Sequence, residues 1–165
     1  MNGKKPENQE EMLSVAQWAV PAICAKKPDI MNALMHPEFV DCDFEEATLT
    51  LAYKAEAWMS NPVGMMHGGN TAAAADITMG ILTYILAGQV MPPTITMQVT
   101  YLRPIPIGST LVVKARADSV GKTKAALVAD MWLEGQPNKR CATATGVYYT
   151  AGPSVKDWKY EKTSE

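Results

Sequence analysis

The sequence predicts an α+β fold in which one antiparallel sheet wraps around one long apolar helix. Three observations predict it. Residues 46–59 alternate with period two, residues 69–88 form one long apolar run, and alternating segments fill the chain from Pro92-Pro93 to residue 150. The links between those last segments are short. Strands joined this way run antiparallel, because a parallel return needs a crossover of about a dozen residues or more. Only the sheet is large enough to cover so apolar a helix.

Each element follows from its own pattern. Asn8 followed by Glu11 resembles a capping box, and Met12, Leu13, Ala16, Trp18, Ala19 and Val20 continue as a helix that Pro21 should end or kink. Residues 28–36, before Pro37, predict a second short helix. In "EATLTLAYKAEAWM" the positions Ala47, Leu49, Leu51, Tyr53, Ala55 and Ala57 are apolar, and Thr48, Thr50, Lys54 and Glu56 between them are polar. That is a strand with one buried face. "TITMQVTYLR", "TLVVKARADS", "KAALVADMWLE" and "KRCATATGVYYT" read as four more strands in a meander. "RPIPIG", "VGK" and "GQPN" supply the turns. The expected organisation is an N-terminal helical extension over 1–43, the sheet-and-helix domain over 44–150, and a polar tail over 151–165, in which Trp158 and Tyr160 could dock.

Composition narrows the function. The chain has 165 residues, enough for one domain with a core, and a formal charge of −2, which lacks the basic excess of a duplex-binding surface. Cys24, Cys42 and Cys141 are widely spaced with no C-x-x-C pair, which speaks against a zinc or thioredoxin-like site. They read as small buried residues. The polar start "MNGKKPENQEE" is no secretory h-region, so a reducing cytoplasm is expected.

The informative stretch is "NPVGMMHGGNTAAAADITMGIL", residues 61–82, which sets one acid, Asp76, inside the apolar run. A membrane span is the first reading to test. Asp76 near its centre would cost about 2.5–3.5 kcal/mol, and no Lys or Arg cluster flanks it. A phosphate loop is a near miss: Gly64, Gly69 and Thr71 fit the spacing, but Asn70 stands where the phosphate-binding lysine belongs. The third reading uses the whole stretch. Glycines at a helix start leave N–H groups unshielded, and with the helix dipole they favour a developing oxyanion. A carboxylate in an apolar wall suits a general base, and it could instead attack directly as a nucleophile. No G-x-S-x-G or H-E-x-x-H is present, and His36 before Pro37 reads as structural.

"NPVGMMHGG", Asp76 nine residues after His67, "TYLRP" and "VGKT" together resemble the PaaI-like branch of the hotdog-fold acyl-CoA thioesterases over roughly residues 44–150. The resemblance implies the hotdog fold, a curved antiparallel sheet wrapped around one long central helix. It implies homodimers or dimers of dimers with shared sites, no metal, and no cofactor beyond the coenzyme A of the substrate. Carried across by position, Gly68 would polarise the thioester carbonyl through its N–H. Asp76 would be base or nucleophile, Asn61 would sit near the thioester, His67 would orient the loop, and Thr94 would help place water. Asn61, His67 and Gly68 would come from one subunit, and Asp76 and Thr94 from its partner. Gly69 and Met66 are candidates for substrate contact. Arg103, Lys122 and Lys124, with Lys114 and Arg116, are candidates for the phosphates of coenzyme A. Trp58, Met65, Met66, Met79 and Tyr84 are candidate pocket residues for a medium or aromatic acyl chain. Two rivals share these residues: an acyl-CoA-binding hotdog protein without turnover, and a hotdog hydratase or dehydratase. No nucleic acid and no membrane is expected as partner.

Overall fold

The computed structural model describes residues 3–25 and 28–151; Trp158, Tyr160 and the tail to which they belong lie outside the described residues, as does the Cys24 side chain. The chain runs α1 (Gln9–Ala25), α2 (Met31–Leu34), β1 (Glu38–Asp43), β2 (Thr48–Lys54), one 3₁₀ turn (Ala57–Met59), α3 (Gly68–Leu86), β3 (Thr94–Tyr101), β4 (Thr110–Val120), β5 (Lys124–Leu133) and β6 (Arg140–Tyr149). The six strands form one antiparallel sheet in the order β1-β2-β4-β5-β6-β3.

α3 is the core. Ile77, Thr78 and Met79, then Ile81 to Ile85 without a break, are buried. A helix apolar all round has to be enclosed. The sheet does this by bending, and its register slips at Phe39/Asp41, Ala117/Ser119 and Met131/Trp132 mark the bulges that help it bend. Its inward residues Leu49, Leu51, Tyr53, Leu111, Val113, Leu127 and Met131 all meet the buried cluster. Thr78 and Thr83 sit in this core because their hydroxyls donate to the carbonyls of Ala74 and Met79, each at 2.8 Å. Gly88 and Gln89, both left-handed (φ 84° and 63°), end the helix, and the Gln89 N–H caps the Tyr84 carbonyl at 2.8 Å.

Several expectations need correction. Pro21 does not end α1, which continues to Ala25. The carbonyl that loses its partner belongs to Gln17 on the exposed face, where water can take it. The buried stripe is Met12, Val15, Ala16, Ala19 and Val20, whereas Trp18 is 44% exposed. Asn8 does cap the helix, accepting from the Glu11 N–H at 2.9 Å. β1 was not foreseen. It joins the sheet edge through β2, and Gln9 clamps their corner by donating to the Cys42 carbonyl and accepting from the Phe44 N–H. Ala47 is a left-handed turn residue (φ 50°) before β2, not a strand position. β2 also buries both faces, Thr48 and Thr50 included.

The largest correction concerns β3. It does not hairpin with β4: the link 102–109 carries the chain past β6 and β5, so only β4, β5 and β6 form a meander. β3 becomes the far edge, bonded to β6 alone, and its Ile95 and Tyr101 stay 45% and 55% exposed. No helix among the described residues is long and apolar enough to cross a membrane.

If the enclosed helix carries the fold, truncating it should be costly throughout. Leu82, fully buried on α3, is the test: Leu82→Ala is expected to cost about 2–5 kcal/mol in urea unfolding with an unchanged m-value. A loss below half a kilocalorie would mean that the sheet does not depend on the helix.

Candidate active site

The helix start is built from the preceding loop. Asn61 shapes it: its Oδ1 accepts from the N–H groups of Val63 and Met65 at 3.0 and 3.1 Å, and its own N–H donates to the Met65 carbonyl. Gly64 completes the turn at φ 78°. The Met59 carbonyl then accepts from the His67 N–H at 2.7 Å and from the Asn70 amide, fixing where α3 begins. Met66 is buried, its N–H on the Ile105 carbonyl.

His67 is the N-cap, and its Nδ1 accepts from the Gly69 N–H at 2.9 Å. That bond requires a neutral ring with the proton on Nε2. The N–H groups of Asn70 and Thr71 return to the His67 carbonyl. Gly69 is therefore spoken for, and the Gly68 N–H is left without an acceptor among the described residues, at the positive end of the helix. Gly68 also leaves room for the exposed Tyr101 ring. A Cβ there would meet the Tyr101 ring at 3.3 Å, and the Tyr101 hydroxyl donates to the Gly68 carbonyl at 2.9 Å.

Asp76 lies further along α3 and only partly buried. One of its oxygens, Oδ1, accepts two hydroxyls: Thr94 of β3 at 2.8 Å and Tyr148 of β6 at 2.9 Å. Burial, and then the neighbouring Asp76 charge, push the Tyr148 hydroxyl far above its usual range, so it stays a donor. Gly146 makes this reach possible, since a Cβ there would stand 2.8 Å from Tyr148 Cε2. Beside the carboxylate opens a cavity of about 180 Å³. Ile77, Ile81, Tyr84 and Met91 give it apolar walls, and Ile23 of α1 and Asn32 of α2 close one side. The N-terminal helices thus reach the site.

Of the residues expected to act together, the chain joins Asp76 with Thr94, and separately Asn61, His67 and Gly68. It does not join the two groups: eight helical residues separate Gly68 from Asp76, roughly 12 Å along the axis. The basic candidates are divided likewise. Arg103 follows the Tyr101 end of β3, with its N–H on the Cys141 carbonyl, while Lys124 pairs with Tyr149 at the Thr94 end, next to Lys122. Lys114 and Arg116 are exposed on β4, and Arg116 is already paired with Asp118 at 2.8 Å. Of the five candidate pocket residues only Tyr84 lines the cavity. Met79 is sealed in the core, because the α3 face that bears it looks into the sheet.

Sequence reading missed Tyr148 and Tyr101 as site residues. Alternation alone does not say which strand reaches which end of the helix. The only hint for Tyr148 was a glycine two residues earlier, in mid-strand, where it is otherwise unfavourable. Burial raises the thiols of Cys42 and Cys141, so neither is poised as a nucleophile. Among the described residues no group of three His, Cys, Asp or Glu side chains is placed to hold a metal ion.

Comparison with known proteins agrees with this fold. The family model described as the thioesterase superfamily matches residues 63–138, the helix and the strands that follow it. Among solved structures, a phenylacetic acid degradation-related protein of Ralstonia eutropha is 24% identical, with 79% of this chain and 98% of that one covered and a TM-score of 0.66. The Escherichia coli PaaI protein from the phenylacetic acid degradation operon is 20% identical over 86% of this chain and 96% of its own, with a TM-score of 0.71. A Streptococcus mutans protein solved with acetyl-CoA bound is 20% identical over 71% and 91%, with a TM-score of 0.61. The central segment thus matches the thioesterase superfamily model, and the architecture of the chain is the hotdog fold it shares with these PaaI-related structures.

Proposed function

We propose that the protein hydrolyses an acyl-CoA thioester to a carboxylic acid and free coenzyme A, at a site that two copies of the chain build together. One observation carries the reading: a carboxylate held by hydroxyls beside an apolar cavity, and an unpaired N–H at a helix start roughly 12 Å away on the same helix. Neither half suffices alone, since thioester hydrolysis needs water activated on one side of the carbonyl and the oxyanion held on the other.

The exposed edge of β3 supports the way in which the halves meet. An apolar edge strand invites pairing. Antiparallel pairing of two β3 strands about their middle would set the Thr94 end of one copy beside the Tyr101 end of the other. Asp76 travels with Thr94 and Gly68 with Tyr101, so each carboxylate would approach the partner copy's helix start. The same operation would bring Arg103 of one copy to the Lys122 and Lys124 end of the other, a basic rim suited to the phosphates of coenzyme A. The acetyl-CoA bound to the Streptococcus mutans relative supports that ligand class. A cavity of roughly 150 Å³ admits a benzene ring. The 180 Å³ beside Asp76 therefore suits a single-ring or medium aliphatic acyl group.

In this reading the Gly68 N–H receives the thioester oxygen as charge develops on it. Asp76 either takes the proton of the attacking water or attacks the carbonyl itself; on either route the C–S bond breaks and coenzyme A leaves as its thiolate, and on the second water then hydrolyses the mixed anhydride. Single turnover in heavy-oxygen water that labels Asp76 establishes the second route, because only an anhydride opened at the Asp76 carboxyl carbon leaves label there. A thiol-release assay over acyl-CoAs of varied length and ring content is the primary test. Asp76→Asn is expected to lower kcat by about 10²-fold or more with the melting temperature nearly unchanged. Binding without turnover across the panel, or near-full activity of Asp76→Asn, would refute hydrolysis by this site. Hydration of enoyl-CoAs in place of thiol release would assign a hydratase instead.

The Gly68 N–H can be deleted cleanly. It occupies the first helical position, where proline is favoured, and His67 (φ −62°, ψ 139°) already has the extended backbone that a following proline requires. Gly68→Pro, at the cost of a shift by the exposed Tyr101 ring, should lower kcat by about 10²–10³-fold with the helix intact by circular dichroism. Refolding it together with Asp76→Asn should restore about a quarter of wild-type activity, since half of the dimers would then hold one intact site of two. No restoration from two folded variants would place both residues in one subunit's site or in none.

A further inference from the structure

We infer that Tyr148 is the positioning residue of the site: its hydroxyl, with that of Thr94, fixes the Asp76 carboxylate in one orientation and leaves Oδ2 as the oxygen that meets water or substrate. This rests on the hydrolase reading above, but its geometry is independent of any substrate.

The two donors converge on a single oxygen. Tyr148 reaches Asp76 Oδ1 at 2.9 Å and lies 3.4 Å from the Asp76 carbonyl, and Thr94 reaches Oδ1 at 2.8 Å. Oδ2 receives no donor among the described residues, and Asp76 lines the cavity. A carboxylate on the partly exposed face of a helix would otherwise rotate about its last torsion, which is soft. Two donors from two neighbouring strands remove that freedom before substrate arrives, and pre-set geometry of this kind is worth rate rather than binding.

The tyrosine is itself held. It is 1% exposed, and its ring crosses Gly146 of its own strand and lies 3.9 Å from where a Cβ of Gly80 on α3 would stand. Glycine at 146 is the condition for this path, since any side chain there would occupy the space of the ring edge. Thr94 is exposed and belongs to the edge strand, so of the two donors Tyr148 is the one that the core of this chain anchors.

Tyr148→Phe keeps the ring and removes the donor. The expected result is a folded protein with kcat lowered about 10- to 100-fold and KM within about twofold of wild type, the loss expected for a hydrogen bond to a charged group. In the Asp76→Asn background the same substitution should cost nothing further, because there is no carboxylate left to hold. Gly146→Ala offers a second route: it displaces the ring while retaining the hydroxyl, and should reproduce the kcat loss. A rise in KM at unchanged kcat would make Tyr148 a pocket wall and overturn the inference, as would an equal loss in the presence and absence of Asp76. Should the wild type release thiol from no acyl-CoA, the hydrolase reading falls, and crystal structures decide the positioning role. In Tyr148→Phe the Asp76 carboxylate should turn or spread over several orientations; a single unchanged orientation would overturn the inference.

Discussion

The molecule is organised by the need to enclose α3. A helix of 19 residues with buried side chains on every face is stable in water only inside another layer. The sheet must therefore curve around it, and curvature puts the two ends of the helix at opposite rims. Everything chemical follows from that placement. The start of α3 is at one rim with its unpaired N–H, and Asp76 leaves the core near mid-helix, where β3 and β6 bring their hydroxyls. The only acid on the helix sits where the enclosure opens.

Enclosure also accounts for the division of the site. A helix long enough to be a core is too long for its start and its ninth residue to touch one carbonyl. A single copy thus holds complementary halves, each bound to an end of the same edge strand: Gly68 to Tyr101 and Asp76 to Thr94. The strand that leaves the fold unfinished as a sheet edge is the one that carries both halves, so in the proposed dimer closing the edge and completing the chemistry would be a single event.

The parts legible in sequence were those set by local periodicity. α3 between 69 and 88, the positions of β2 and of β4 to β6, and the Asn8 cap depend on neighbours within one turn or one pleat, and they stand close to where the pattern predicts. The parts that were not legible depend on contacts far along the chain. The short link after β3 looked like a hairpin, yet the strand belongs beside β6, because a link of eight residues spans three strand spacings as readily as it turns. Trp18 lay in a helical pattern, but the stripe one position over fitted the core better. The site divides in the same way. Asp76 announced itself, since a lone acid in an apolar run demands a reason. Tyr148 did not, because an aromatic residue in an alternating strand is ordinary.

Two glycines show how finely the site depends on missing side chains. Gly68 lets the Tyr101 ring lie against the helix start, and Gly146 lets the Tyr148 ring cross its own strand toward Asp76. In both places a tyrosine occupies the room that a Cβ would take, and its hydroxyl bonds to the half of the site nearby. The pairs differ in depth, with Tyr101 largely exposed at the edge and Tyr148 buried. A residue that must adjust when a second copy docks has to remain mobile, whereas one that fixes a carboxylate has to be packed. In the proposed dimer the exposed tyrosine would therefore belong to the half that association finishes, and the buried tyrosine to the half already set within one chain.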